Sequence, residues 1–190
     1  MDITTEWIRQ ITQLPVQTMH VGWRLHRRQH EPEFYFRGPA RFVPDQEDVG
    51  ILYLASDELT ATMEFVGGLK AIPSSDLEKY TLAELQFSST LTLADITSQE
   101  FPYPDVLKQL QSADHLPSQQ FATLVYSNGL NGVCFESRSG GQLFAVFGPV
   151  GSGREAKVAK EAPIPEGALK KLGVEVLDLP GSDSLWTGVS

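Results

Sequence analysis

The chain has 190 residues, of which 41% are hydrophobic and 21% charged, with a net charge of −9 and a single cysteine. That length suits one domain with a continuous core, and the composition excludes disordered, collagen-like and coiled-coil classes. The acidic balance argues against a broad nucleic-acid surface, and no apolar run nears the roughly 20 residues that cross a bilayer.

In chain order, the opening MDITTEWIRQITQLP lacks the basic and apolar regions of a secretion signal, so a cytoplasmic protein without membrane contact is expected. Thr4 or Thr5 can cap a short first helix carrying Trp7, Ile8 and Ile11 and ended by Pro15. In VGWRLHR, Val21, Trp23 and Leu25 alternate with Gly22, Arg24 and His26, which predicts a strand projecting Arg24 and His26 from the face opposite the apolar set. Residues 31–48, holding FYFRGPARFVP, predict a long irregular loop, and loops of that length tend to be functional. VGILYLA, residues 49–55, predicts a central strand buried on both faces, with the Tyr53 hydroxyl its one polar handle. Ser56 or Asp57 caps a helix over 58–66, where Leu59, Met63 and Val66 recur at helical spacing and Gly67-Gly68 ends the run.

Residues 79–96 predict a long alternating strand, and 98–116 a polar connection with a short helix near Val106 to Leu110. A helix over 118–126 follows, capped by Ser118 and closed by Asn128-Gly129. GVCFES predicts a strand ending at Ser137 and Arg138, SGGQ a turn, and LFAVF (143–147) the returning strand. Cys134, inside GVCF, reads as a small buried hydrophobe. Residues 151–165 read as a linker, 174–179 as a last strand, and the remainder as a loose tail.

Arg24, Arg27, Arg28, Arg37 and Arg41 fall in one stretch that holds only Glu31 and Glu33 as acids. A basic pocket in an acidic protein suits a small anion, because guanidinium binds phosphate bidentately and keeps its charge; a solvated strand edge would leave the same pattern. Glu64 is the only charge between Glu58 and Lys70, flanked by Met63 and Phe65, which predicts a half-buried carboxylate, either paired with an arginine or poised for chemistry. No GxGxxG follows a strand, and neither a P-loop nor a GxSxG elbow is present. His20, His26 and His30 lack zinc-site spacing, so no metal is expected.

Together WRLHR, GPARF, ILYLASDELTATMEFVGG and GLNGVCFESRSGGQLFAVF resemble the RES-domain family, toxins of bacterial toxin-antitoxin pairs named for an Arg, a Glu and a Ser, over about residues 20–148. The resemblance implies an α+β fold: two packed, mostly antiparallel sheets with short flanking helices and an ADP-ribosyltransferase-like cleft for NAD. It implies one domain over 1–190, with the first helix and last strand as additions. NAD would be the substrate, cut at the nicotinamide-ribose bond by hydrolysis, or by phosphorolysis with inorganic phosphate as co-substrate, and no further cofactor is needed. Glu64, Arg24 and Ser137 would be catalytic, and Arg41 and Tyr53, with Arg24 and Ser137, would bind substrate. In that scheme Glu64 stabilises an oxocarbenium-like ion, Arg24 and Arg41 neutralise the pyrophosphate, Tyr53 borders the nicotinamide, and the Ser137 hydroxyl bonds to ribose or to a side chain of the site. Arg27 and Arg28 are expected to line the same cleft. An Xre-type antitoxin would be the partner, with self-association left open. A mono-ADP-ribosyltransferase with a protein or nucleic-acid acceptor and a silent dinucleotide-binding module are the rival readings.

Overall fold

The period-two segments become one large sheet in the computed structural model, which describes residues 14–178 apart from Pro102 and Arg154. The first helix expected around Trp7 and the tail after 178 lie outside the described residues. Strands β1 (Val16–Arg27), β3 (Val49–Ala55), β7 (Gln142–Pro149), β6 (Gly132–Glu136), β5 (Tyr80–Asp95) and β9 (Ala156–Ala162) are neighbours in that order, while the short β2 (Phe34–Tyr35) and β8 (Gly151–Ser152) pair with each other. All pairings in this sheet are antiparallel except β5 with β6. β1 also pairs with β5 from Val16↔Ala94 to Arg27↔Tyr80, so the sheet curls until these two long strands meet. The register shifts between Met19↔Leu91 and Val21↔Gln86, where the extra residues lie in β5, and this irregularity supplies local bend and twist. The expected pair of separate sheets is therefore one sheet closed on itself, with β9 attached beyond β5.

The alternation sorts side chains into two cores. Leu52 and Leu54 of β3 point inward with Met19, Leu85, Leu93, Cys134, Phe144 and Val146, drawn from every strand of the ring. Val49 and Ile51 point outward with Val133, Ala145 and Phe147, where α3 (Pro104–Leu110) and α4 (Leu116–Ser127) cover them through Leu110, Phe121 and Val125. The predicted double burial of β3 thus holds, and each such leucine or isoleucine contributes roughly 1.5–3 kcal/mol. A third cluster ties α1 (Glu58–Val66) to β4 (Ala71–Pro73), the single turn α2 (Ser74–Leu77) and α5 (Glu166–Lys171) through Val66, Ile72, Leu77, Ile164 and Leu169.

Three expectations change. α4 begins at Leu116, with Pro117 in its first turn, because the Ser118 hydroxyl donates to the His115 carbonyl 2.8 Å away instead of accepting from a free amide. The supposed linker contains β9, whose outward Lys157, Lys160 and Glu161 are the charges of an exposed edge strand and hide its β character. The last strand is shorter than 174–179: β10 (Glu175–Leu177) pairs in parallel with β4. Among the described residues no helix is long and apolar enough to cross a membrane.

Candidate functional site

α1 starts where the sequence places it. Asp57 accepts hydrogen bonds from the Thr60 amide (2.9 Å), the Thr60 hydroxyl (2.8 Å) and the Ser56 hydroxyl (2.9 Å). Burial works against the Asp57 charge, but the bonds from Thr60 and Ser56 outweigh it and hold the carboxyl below its usual range. Gly67 closes the helix at φ 53°, a left-handed conformation suited to glycine. The helix buries Thr60, Ala61, Thr62 and Val66, and one turn after Ala61 it presents Glu64 to a cleft of about 860 Å³. That volume lies within the range usual for ligand sites.

Arg24, Arg41, Tyr53, Glu64 and Ser137, drawn from four distant stretches of the chain, all line this cleft. Glu64 itself corrects an expectation: it is exposed, not half-buried, since Met63 and Phe65 are only partly covered and the cleft opens to solvent. Its partner is Ser137, whose buried hydroxyl donates to Glu64 Oε1 and accepts the Ser139 amide at 2.9 Å. The turn after β6 makes this meeting possible. Gly140 and Gly141 have φ of 90° and 89°, and a Cβ on Gly141 would sit 2.5 Å from Thr60 Oγ1. The turn therefore docks directly on α1, with backbone where any larger residue would hold it off.

Both expected arginines are tethered. Arg24 donates through Nη1 to the carbonyls of Pro32 (2.7 Å) and Phe34 (3.1 Å), which pins the loop after β1. Burial lowers its pKa, against the pull of Glu33. Arg41 donates through Nη2 to the carbonyls of Gln111 (3.0 Å) and Ser112 (2.8 Å), so it bridges two loops at the mouth of the cleft. Its pKa is lowered by burial and then by the like charge of Arg138, partly offset by Tyr53. The Tyr53 hydroxyl donates to the Arg41 carbonyl, and burial raises the tyrosine's pKa. Next to Arg41, the buried Phe42 has φ 55°, the one positive φ outside glycine among the described residues. An aromatic residue held there costs roughly 1–3 kcal/mol, and its ring is fixed against Phe135 at 5.0 Å.

The basic stretch splits. Arg27 and Arg28 do not line the cleft: Arg27 lies 5.8 Å over the Tyr80 ring, and Arg28 Nε donates to the Tyr80 carbonyl at 3.4 Å. Arg27 is the last residue of β1, opposite Tyr80, and Arg28 follows it. Arg37 faces a separate groove, and His26 is buried with Nε2 3.4 Å from Glu161. Among the cleft residues that the sequence reading did not assign to the site are His115, just before α4, Phe135, Glu136 and Arg138. For Arg138 the available signal was adjacency to Ser137. Cys134 is buried, its Sγ donates to Gln17 Oε1 at 3.4 Å, and burial, with Asp95, pushes its thiol up to about 12, a packing role as expected. Among the described residues, no three His, Cys, Asp or Glu side chains gather as a metal site.

The RES domain model matches residues 21–166 of the chain. A chain from the crystal structure of the M. tuberculosis MbcT-MbcA toxin-antitoxin complex shares the fold, with a TM-score of 0.61 at 13% identity, over 89% of this chain and 97% of that one. No curated protein sequence is significantly similar.

Proposed function

The chain belongs to the RES-domain family, and from that premise we propose that it cleaves NAD at the nicotinamide-ribose bond and is a toxin held in check by an antitoxin. The observation that carries the reading is the Glu64 carboxylate, oriented by the Ser137 hydroxyl in a cleft that also presents Arg24 and Arg41. In this reaction the C1′–N bond breaks, its electron pair leaves with neutral nicotinamide, and positive charge develops on the ribosyl carbon. A carboxylate fixed beside that carbon lowers the barrier because its charge is placed before the transition state forms. Water or inorganic phosphate then bonds to C1′, the former losing a proton. Arg41, with the N–H groups its carbonyl bonds leave, faces the diphosphate together with Arg24. Tyr53 and Phe135 supply the apolar wall for the nicotinamide ring. NAD is the substrate, and the chemistry calls for no cofactor.

An unrestrained NAD consumer harms its host, which gives an antitoxin partner its reason. An Xre-type protein whose acidic or chain-terminal carboxylate occupies the arginine-lined cleft would exclude the pyrophosphate. The test is inducible expression of wild type and Glu64→Gln with cellular NAD measured. Wild type is expected to deplete NAD and stop growth while Glu64→Gln does neither. Equal growth and equal NAD, with both proteins soluble at the same level, would overturn the proposal.

A further inference from the structure

The cations of the cleft differ in what already occupies them. Arg24 and Arg41 each hold two backbone carbonyls through one terminal nitrogen. Arg138 is exposed on the turn after β6, lines the same cleft, and makes no hydrogen bond or ion pair with another described residue. Its backbone is nonetheless held in place: it lies between Ser137, bound to Glu64, and Ser139, whose amide bonds back to Ser137 Oγ. Two guanidinium groups facing one cavity repel each other, and this repulsion is felt at Arg41. A ligand anion between them removes it.

We propose that Arg138 is a specificity-determining residue that recognises the diphosphate of the substrate, sharing that anion with Arg41, so that the site selects dinucleotides over phosphate-free nicotinamide ribosides. The inference rests on the NAD-cleaving reading. Its geometry suits that substrate: only a ribose lies between the scissile C1′ and the diphosphate, and Arg138 directly follows Ser137, the residue that holds Glu64. A planar fork on a flexible arm, anchored by a fixed turn, binds two phosphate oxygens at once, which a lysine does less well.

The test is calorimetric binding of ADP-ribose and of nicotinamide riboside, with NAD kinetics, for wild type, Arg138→Gln, Arg138→Lys and the control Arg27→Gln. Arg138→Gln should weaken ADP-ribose binding by about tenfold or more, the scale of lost hydrogen bonds to a charged group. The KM for NAD should rise in parallel while kcat moves little and nicotinamide riboside binds as before. Arg138→Lys should recover part of the loss, and Arg27→Gln should match wild type. ADP-ribose binding by Arg138→Gln within about twofold of wild type, or an equal loss for the riboside, would overturn the assignment, as would a wild type that does not bind ADP-ribose. Arg138-dependent ADP-ribose binding without nicotinamide release from NAD would leave the anion subsite standing and defeat the catalytic reading instead.

Discussion

The loop from Arg37 to Asp45 separates two concave surfaces that are alike in outline and different in chemistry. On one flank Arg37 donates through Nη1 to the carbonyls of Pro44 (3.0 Å) and Val49 (2.9 Å), beside a groove of about 520 Å³ walled by Val43, Pro44, Leu116 and Leu124. On the other flank Arg41 does the same for Gln111 and Ser112 beside the 860 Å³ cleft. An arginine in a depression is therefore ordinary architecture here: long loops carry backbone carbonyls that need donors, and a guanidinium has several to give. What sets the cleft apart is the convergence of Glu64 with the buried Ser137 hydroxyl, and a third arginine without a carbonyl to hold.

The largest effect that would sharpen this contrast is at Glu64. Glu64→Gln should keep the fold and lose at least about a hundredfold in NAD cleavage, the scale of a removed electrostatic stabiliser. Ser137→Ala, which frees the carboxylate to turn, should cost about tenfold in kcat. Next comes the paired arginine experiment. Arg41→Ala should weaken NAD binding by about 1.5–3 kcal/mol, whereas Arg37→Ala should leave affinity unchanged and lower stability by about 1–3 kcal/mol through its orphaned carbonyls, read from denaturant midpoints. Equal effects on affinity would erase the distinction between the two surfaces.

Smaller still is the turn that joins Ser137 to Glu64. Gly141→Ala places a methyl against Thr60 at a φ of 89°, and should cost about 1–3 kcal/mol of stability. Activity should fall with it, because the turn must lift from α1. The smallest effect is at the helix cap: Asp57→Ala should cost about 1 kcal/mol. The Asp57 carboxyl titrates below its usual range in the fold. Its contribution is therefore complete above the unfolded carboxylate value of about 4 and is lost as pH falls through the lower folded value. Denaturant titrations of wild type and Asp57→Asn across that acid window should converge as pH drops.

Local signals carried much of this arrangement. The apolar run of β3, the Asp57 cap, the Gly67 stop and the Gly140-Gly141 turn are short-range devices, and their elements begin and end close to where the sequence places them. The meeting of Glu64 with Ser137, 73 residues apart, was legible only through the family resemblance, because no local pattern encodes which turn docks on which helix. The exposure of Glu64 was misread since apolar neighbours in sequence are not its neighbours in the cleft. Arg27 and Arg28 were grouped with Arg24 by composition, yet the register of β1 with β5 sets them at Tyr80, away from the site. β9 was missed because it pairs only at the edge of the sheet and only Ala156 is buried, so its exposed, charged run looks like a linker.

Cleavage of the nicotinamide-ribose bond in this cleft is best tested by mass analysis of NAD incubated with the purified chain, in phosphate and in phosphate-free buffer. Wild type should give multiple turnovers of nicotinamide release matched by ADP-ribose, or by its phosphate ester where phosphate is the nucleophile, and Glu64→Gln almost none. Intact NAD after prolonged incubation with folded protein that binds it, or equal release by the two proteins, would contradict cleavage by this site.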